Sequence, residues 1–290
     1  MKFVRVLRGS GLRVCCLALI IVTLAACGPR QPGVSTPPPT TIGPTSSPAG
    51  EPPLQIPAPP TVVSSPTVVA TPGAASPATV TPTTLQGVLD QVYAKNSGVM
   101  GVYVQNLKTG ETASIDANAK LRSASLYKLL VLTSAYERVQ SGALKTDQVI
   151  TLSQAAFDVD PYNEWTPGTQ TTVSCAMQAM ITVSSNSAAE MLIEEVGGTA
   201  RVTKDMQALG LTQSQIGDDT AYTSPADIAK LLDGIYHRTL VSPQASDAML
   251  KLLLAQQHND RLPLPLPVGI KVAHKTGELT DLRNEAGIVY

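Results

Sequence analysis

Ser125 and Lys128 stand three residues apart in "LRSASLYKLLVL" (Leu121–Leu132), where an apolar run begins. Positions i and i+3 share one face of a helix, so the hydroxyl and the amine can meet there. A serine hydroxyl is a poor nucleophile until a base takes its proton. Lysine serves as that base when desolvation or a neighbouring cation leaves some of it neutral. A position near a helix N-terminus adds a field that favours a developing anion. Alone the pair says little, because Ser-x-x-Lys arises by chance about once in a chain this long.

Two further elements lie downstream. "ITVSSNSAAEML" places Ser184 and Asn186 at the start of a predicted helix, and "AHKTGEL" places Lys275, Thr276 and Gly277 at the end of a predicted strand. Taken singly they have plain structural readings: Ser184 as an N-cap, Asn186 as a turn residue, Lys275 as a solvated strand end. Ser-x-x-Lys, Ser-x-Asn and Lys-Thr-Gly in this order resemble the penicillin-recognising serine hydrolases, the class A β-lactamases and penicillin-binding D,D-peptidases. "TVSCAMQAMITVSSNSAAEMLIEEVGG" and "TSPADIAKLL" are similar to the class A side, and the resemblance covers roughly 85–290. A second Lys-Thr-Gly, at 108–110, lies in a turn upstream of Ser125, where Gly110 has an ordinary turn role.

The resemblance implies Ser125 as the acylated nucleophile, Lys128 as its proton acceptor and Ser184 as the proton relay to the leaving nitrogen. It implies Asn186 as the substrate-amide ligand and Lys275 as a cation for the substrate carboxylate. Thr276 and Gly277 would form the strand edge along substrate, and the N–H groups of Ser125 and Glu278 the oxyanion hole. No cofactor is implied. A lost oxyanion donor typically costs about 3–4 kcal/mol of transition-state stabilisation.

The chain also departs from the class A pattern. That family carries a glutamate on a long loop between the second and third motifs, followed four residues later by an asparagine, and the glutamate activates the deacylating water. "LGLTQSQIGDDTAYTSPADIA" is short and has no Glu; Asp218 and Asp219 are its only acids before Asp227. Ser185 replaces a usual aspartate, and Glu190 an asparagine that braces the loop. Glu278 replaces a small residue and would bring negative charge to a pocket for carboxylates. The expectation is acylation at Ser125 by β-lactam or a related amide with impaired deacylation. A D,D-carboxypeptidase needs no loop glutamate and is the alternative; a non-catalytic cell-envelope binding domain is the second.

The elements that must position these residues follow from periodicity. Leu85, Val88, Leu89 and Val92 have helical spacing within Thr83–Asn96. "VMGVYVQNLKTGETASID" reads as a hairpin. Helices are predicted over Leu126–Gln140, Thr172–Val183, Ser187–Val196, Arg201–Leu209, Pro225–His237 and Pro243–Gln257, with loop-rich stretches at Asp147–Gln170 and Leu211–Ser224. "VGIKVAHKTG" and "RNEAGIVY" read as strands. The fold class expected is α/β (α+β) of the β-lactamase/transpeptidase type: an antiparallel sheet from both chain ends, flanked by helices, with an inserted helical region. The strand-like "AGIVY" runs to residue 290 without a cap, so a further C-terminal strand or helix is expected beyond it.

The 290 residues carry a formal net charge of −1 with 15% charged residues, which gives no sign of a nucleic-acid partner. In "MKFVRVLRGSGLRVCCLALIIVTLAAC" four basic residues precede an apolar run from Val14 to Ala26. Thirteen helical residues rise only about 20 Å, short of a hydrocarbon core of about 30 Å. Residues 1–26 therefore read as an export signal. Leu24-Ala25-Ala26-Cys27 resembles a bacterial lipobox, implying lipid on Cys27 and anchoring to the cell-envelope membrane with the domain outside the cytoplasm. Residues 27–84 hold 16 of the 23 prolines, spread over 29–82. Such a segment lacks donors and apolar bulk and reads as a disordered tether. That leaves residues 85–290 as one globular unit, expected to be a monomer acting on a β-lactam or peptidoglycan-derived small substrate. No Cys/His cluster has metal-ligand spacing, so no metal is expected.

Overall fold

Thr84 caps the first helix, α1 (Leu85–Tyr93), by accepting from the Gly87 N–H at 3.1 Å. The computed structural model describes residues 84–290 except 97, 161, 218 and 219. The expected signal, Cys27 and the tether to residue 83 lie outside the described residues, as do Asp218 and Asp219. A hairpin follows α1: β1 (Val102–Gln105) and β2 (Thr112–Ile115), joined across the first Lys-Thr-Gly.

Next come β3 (Leu121–Arg122) and a 3-10 turn, Ala124–Leu126, that feeds α2 (Tyr127–Ser141). The helix predicted over Leu126–Gln140 is α2, and it is buried all round from Lys128 to Ala135, as expected of the central helix of a domain. Each of Leu129, Leu130 and Leu132 contributes about 1.5–3 kcal/mol by burial. Arg138 on α2 pairs with the buried Asp205 at 2.7 Å, fixing α2 against α6 (Thr199–Ala208).

Around α2 lie α3 (Gln154–Val159), α4 (Val173–Thr182) and α5 (Asn186–Val196), the latter two contributing Met177, Met180, Ile181, Met191 and Leu192 to the core. Between α2 and α4 the loop-rich stretch also forms β4 (Val149–Thr151) and β5 (Gln170–Thr172), an antiparallel pair. Gly197, with φ of 103°, closes α5 in a left-handed cap that glycine tolerates.

After α6, β6 (Gln215–Ile216) and β7 (Ala221–Thr223) pair as a tight hairpin, with Ile216 opposite Ala221. Only residues 217–220 separate the two strands. β7 also pairs with β3, fastening this hairpin directly upstream of Ser125. Asp227 on α7 (Pro225–Tyr236) accepts from the Gln213 N–H and the Ser214 hydroxyl, both at 2.8 Å, and so anchors the segment's other end.

Finally α8 (Pro243–Leu254) leads to β8 (Val272–Leu279) and β9 (Leu282–Val289), in register from Val272–Val289 to Leu279–Leu282. The antiparallel strands expected from both chain ends are present as two hairpins, β1–β2 and β8–β9, not bonded to each other. Helix α7 packs against both β1 and β9, and a largely apolar cleft of about 1010 Å³ runs between them. The helix-rich body with small antiparallel sheets is a β-lactamase/transpeptidase-like fold.

Candidate active site

Ser125 sits within the 3-10 turn, one residue after Ala124, whose φ of 43° is uncommon for a residue with a Cβ. Gly277 on β8 lies against this turn. A Cβ on Gly277 would stand 3.0 Å from both the Ser123 O and the Ser125 N, so only glycine lets β8 pass so close to Ser125. This contact brings the first and third motifs together.

The second motif enters from the junction of α4 and α5. Ser185, not Ser184, is the N-cap of α5, accepting from the Ala188 N–H at 3.2 Å. Ser184 is thereby released from capping, in a left-handed conformation with φ of 60°. Its hydroxyl oxygen receives Lys275 Nζ at 2.9 Å and Lys128 Nζ at 3.3 Å. Lys128 Nζ also donates to the Ser184 carbonyl and to Asn186 Oδ1, and Lys275 Nζ to the Thr276 carbonyl at 2.7 Å. Two ammonium donors fill both acceptor positions of the Ser184 oxygen, so its own O–H is left to donate outward.

Both lysines are fully buried, and among the described residues neither has a carboxylate within ion-pair distance. Burial pushes Lys128 down to about 8, against the pull of Glu164, Asp160 and Glu190. Burial, with the positive charges of Lys128 and Arg261, pushes Lys275 down to about 7. A lysine in this range supplies neutral amine at ordinary pH, which base catalysis requires. Ser125 Oγ is not hydrogen-bonded to Lys128; it faces a cavity of about 320 Å³ shared with Ser184, Asn186, Thr276 and Glu278.

Several residues of this site lie outside the three motifs. Glu164, before α4, is tied to the start of α5: its carboxylate accepts from the N–H of Asn186 at 3.0 Å, that of Ser187 at 3.2 Å and the Ser185 hydroxyl at 3.0 Å. Ser187 Oγ answers by accepting from the Glu164 and Trp165 N–H groups. Burial pushes the Glu164 carboxyl up, but these donors outweigh it and leave it below the usual range. Arg261 donates to the Gly277 and Asn284 carbonyls, both at 3.0 Å, and to Glu278. Arg283 reaches the same carboxylate at 3.2 Å. The negative charge expected from Glu278 is thus met by two guanidinium groups at the cavity wall. Glu190 is buried near Lys128; burial and the charge of Asp160 push its carboxyl up to about 7.

The β6–β7 hairpin occupies the chain where a long loop with its glutamate was looked for. Among the described residues, nothing between α6 and α7 lines the cavity.

Ser125 near two buried lysines bridged by a second serine is the motif set of the penicillin-recognising serine enzymes. The chain belongs to the beta-lactamase enzyme family, whose model matches residues 84–290. Among solved structures it is similar to PBP-A at 27% identity, covering 71% of this chain and 81% of that one with a TM-score of 0.66. It is also similar to a beta-lactamase from Chitinophaga pinensis at 26% identity, covering 70% and 84%, with a TM-score of 0.63. An ancestral class A beta-lactamase matches at 26% identity over 71% and 85%, again with a TM-score of 0.63. The protein is a serine hydrolase of the β-lactam-recognising type.

Proposed function

We propose that Ser125 forms an acyl-enzyme with β-lactams or a related peptidoglycan amide, and that the acyl group leaves slowly. The observation that carries this reading is the Ser184 hydroxyl held by both Lys128 and Lys275 at the edge of the cavity that Ser125 faces. Ser125 Oγ attacks the substrate carbonyl as its proton passes to neutral Lys128. The C–N bond breaks, Ser184 gives its proton to the leaving nitrogen, and a lysine of the pair reprotonates Ser184. The product is an ester on Ser125 with the amine end of the substrate freed.

Deacylation needs a base for water. The acids lining the cavity are Glu164, Asp260 and Glu278. Glu164 is held by three donors at the start of α5, and Glu278 is paired with Arg261 and Arg283. Asp260, exposed on the 256–262 segment, is the one of the three left without such ties. The same reasoning favours a D,D-peptidase as second reading, since PBP-A is among the similar structures and a variant of it is described as an acyl-enzyme complex with penicillin G.

Intact-mass measurement after incubation with penicillin tests the proposal. A Ser125 adduct persisting for minutes or longer is expected, absent in Ser125→Ala. A transient adduct with rapid steady-state hydrolysis would instead mark an efficient β-lactamase, and no adduct a binding domain. We further propose export through residues 1–26 and lipid attachment at Cys27, supported by the lipobox-like Leu24–Cys27. Release of the protein from membranes by Cys27→Ala checks it.

A further inference from the structure

Next to Lys275 in β8 is His274, fully buried, with both ring nitrogens engaged: Nδ1 stands 2.7 Å from Glu285 Oε1 on β9, and Nε2 stands 3.1 Å from Asn259 Oδ1. Room for the ring comes from Gly287, directly opposite in register, where a Cβ would stand 2.7 Å from the His274 Cβ. A neutral imidazole has one N–H and one lone pair, and needs one donor partner. Neither neighbour fits that need. The Asn259 amide is oriented by its Nδ2, which donates to the Gln256 and Gln257 carbonyls at 3.3 Å each. Reversing it would set its oxygen against two carbonyl oxygens. Glu285 also accepts the Leu262 N–H at 2.7 Å through its other oxygen.

We infer that His274 is held as an imidazolium and acts as a positioning residue for substrate capture, clamping the 256–262 segment over the acylation site. Asn259 and Leu262 are the two shoulders of that segment, both fixed by the His274–Glu285 pair. Between them, Asp260 and Arg261 line the cavity, with Arg261 on the Gly277 carbonyl of the third motif. The charged group on the ring is Glu285 from β9; the segment carries Asp260 and Arg261, while the buried residues of α8 (Ala245, Ser246, Met249 and Leu253) and the 3-10 turn Ala124–Leu126 packed against β8 carry no charge. Glu285 balances the imidazolium, which limits the desolvation cost of a buried cation. When the proton leaves, one of the two ring bonds must break and a shoulder is freed.

The role in capture rests on the acyl-enzyme reading; the protonation state does not, so the two fail separately. A missing Ser125 adduct in the unaltered protein would sink the former alone. The direct measurement is ¹⁵N NMR of the full chain labelled at histidine, with His274 assigned by its loss in His274→Gln. Two protonated nitrogens on His274 at pH 7, with slowly exchanging N–H protons, are expected; a single unprotonated nitrogen overturns the inference. In Glu285→Gln the ring should lose one of its protons. The concentration of penicillin giving half-maximal acylation should rise about tenfold, while the limiting acylation rate changes less than twofold. A fall in limiting rate at unchanged half-saturation overturns the positioning role. Should Glu285→Gln fail to fold, Asn259→Ala removes the acceptor at Nε2: the Nε2–H proton should then exchange fast and the half-saturating penicillin concentration rise severalfold, and no change in either refutes the clamp.

Discussion

Lys128 and Lys275, fully buried and bonded to Ser184, and Glu164 and Glu278, exposed at the cavity wall, are charges handled in opposite ways. The lysines are given hydroxyl, amide and carbonyl oxygens but no carboxylate at ion-pair distance, and both are pushed down toward neutrality. Glu164 is given three donors, and Glu278 two guanidinium groups. A cation without a counter-ion gives up its proton easily, as a base must, whereas an anion surrounded by donors holds its charge and is a poor base. On the proposed function, this difference equips the site to form an ester more than to hydrolyse one.

Removing the lysine base breaks the comparison most severely. Lys128→Met should slow acylation by about 10²–10⁴-fold, the range general-base catalysis supplies, read as the pseudo-first-order rate of penicillin adduct formation. A loss under tenfold would mean that the proton leaves Ser125 by another route, with Lys275 through Ser184 the nearest candidate.

The same pair makes a claim about pH. Unfolded lysines titrate near 10.5, whereas the folded pair titrates near 7 to 8. Between these limits the unfolded chain binds more protons than the folded one, so stability rises with pH across this window. The penalty is fully present below about 7 and fades as pH approaches 10.5. Coupled groups lose their protons as a pair, so acylation should follow a profile with its limbs in the 7–8 region and not one belonging to either lysine. Lys275→Met should flatten the rise of Tm between pH 7 and 10 by several degrees, measured by calorimetry. An unchanged slope would show that the lysines are not the source.

How much of this was readable from residue order depends on how far apart the partners lie. Each motif is local, so Ser125 with Lys128, Ser184 with Asn186, and the Lys275–Gly277 run were visible as spacings, and the helices around them as apolar periods. Glu164 was not, because its carboxylate meets α5 some twenty residues later, through a stretch without periodicity. Arg261 was hidden for the same reason: its partners, two backbone carbonyls and the Glu278 carboxylate, lie 16 to 23 residues downstream. The 3-10 turn under Ser125 was read as helix, because the close pass of Gly277 that shapes the site is tertiary. Spacing alone does not tell which of the two adjacent serines caps α5; that duty falls to Ser185, which leaves the Ser184 hydroxyl free.

Glu164 gives a sharper, smaller test. Glu164→Gln keeps the shape and one acceptor but removes the charge facing the N-terminus of α5, where a negative group is favoured by about 0.3–1 kcal/mol. Hydrogen bonds to a charged acceptor add about 1.5–3 kcal/mol at most. A stability loss of about 1–2 kcal/mol by denaturant unfolding is expected, with deacylation of a penicillin adduct unchanged. A clear slowing of deacylation would instead make Glu164 the water's base and remove the contrast between the two walls.

The smallest effect is expected at Ser185, where a serine stands in place of the usual aspartate. Its oxygen accepts from the Ala188 N–H while its hydroxyl donates to Glu164, so one side chain caps α5 and holds the carboxylate in place. Ser185→Ala should cost about 1 kcal/mol, as the loss of an N-cap does. Glu164 still keeps the two backbone donors of Asn186 and Ser187, so it should remain ionised and acylation should fall less than about threefold. Ser185→Asp sharpens the point. It retains an N-cap acceptor but sets a second carboxylate against Glu164 without the hydroxyl proton that now joins them. Like charges so placed disfavour each other's ionised form, so the Asp variant should be less stable than the Ala variant above pH 5, and the two should converge as the carboxylates protonate below it. If the Asp variant is instead the more stable at neutral pH, Glu164 and Ser185 are not coupled as the hydrogen bond between them implies.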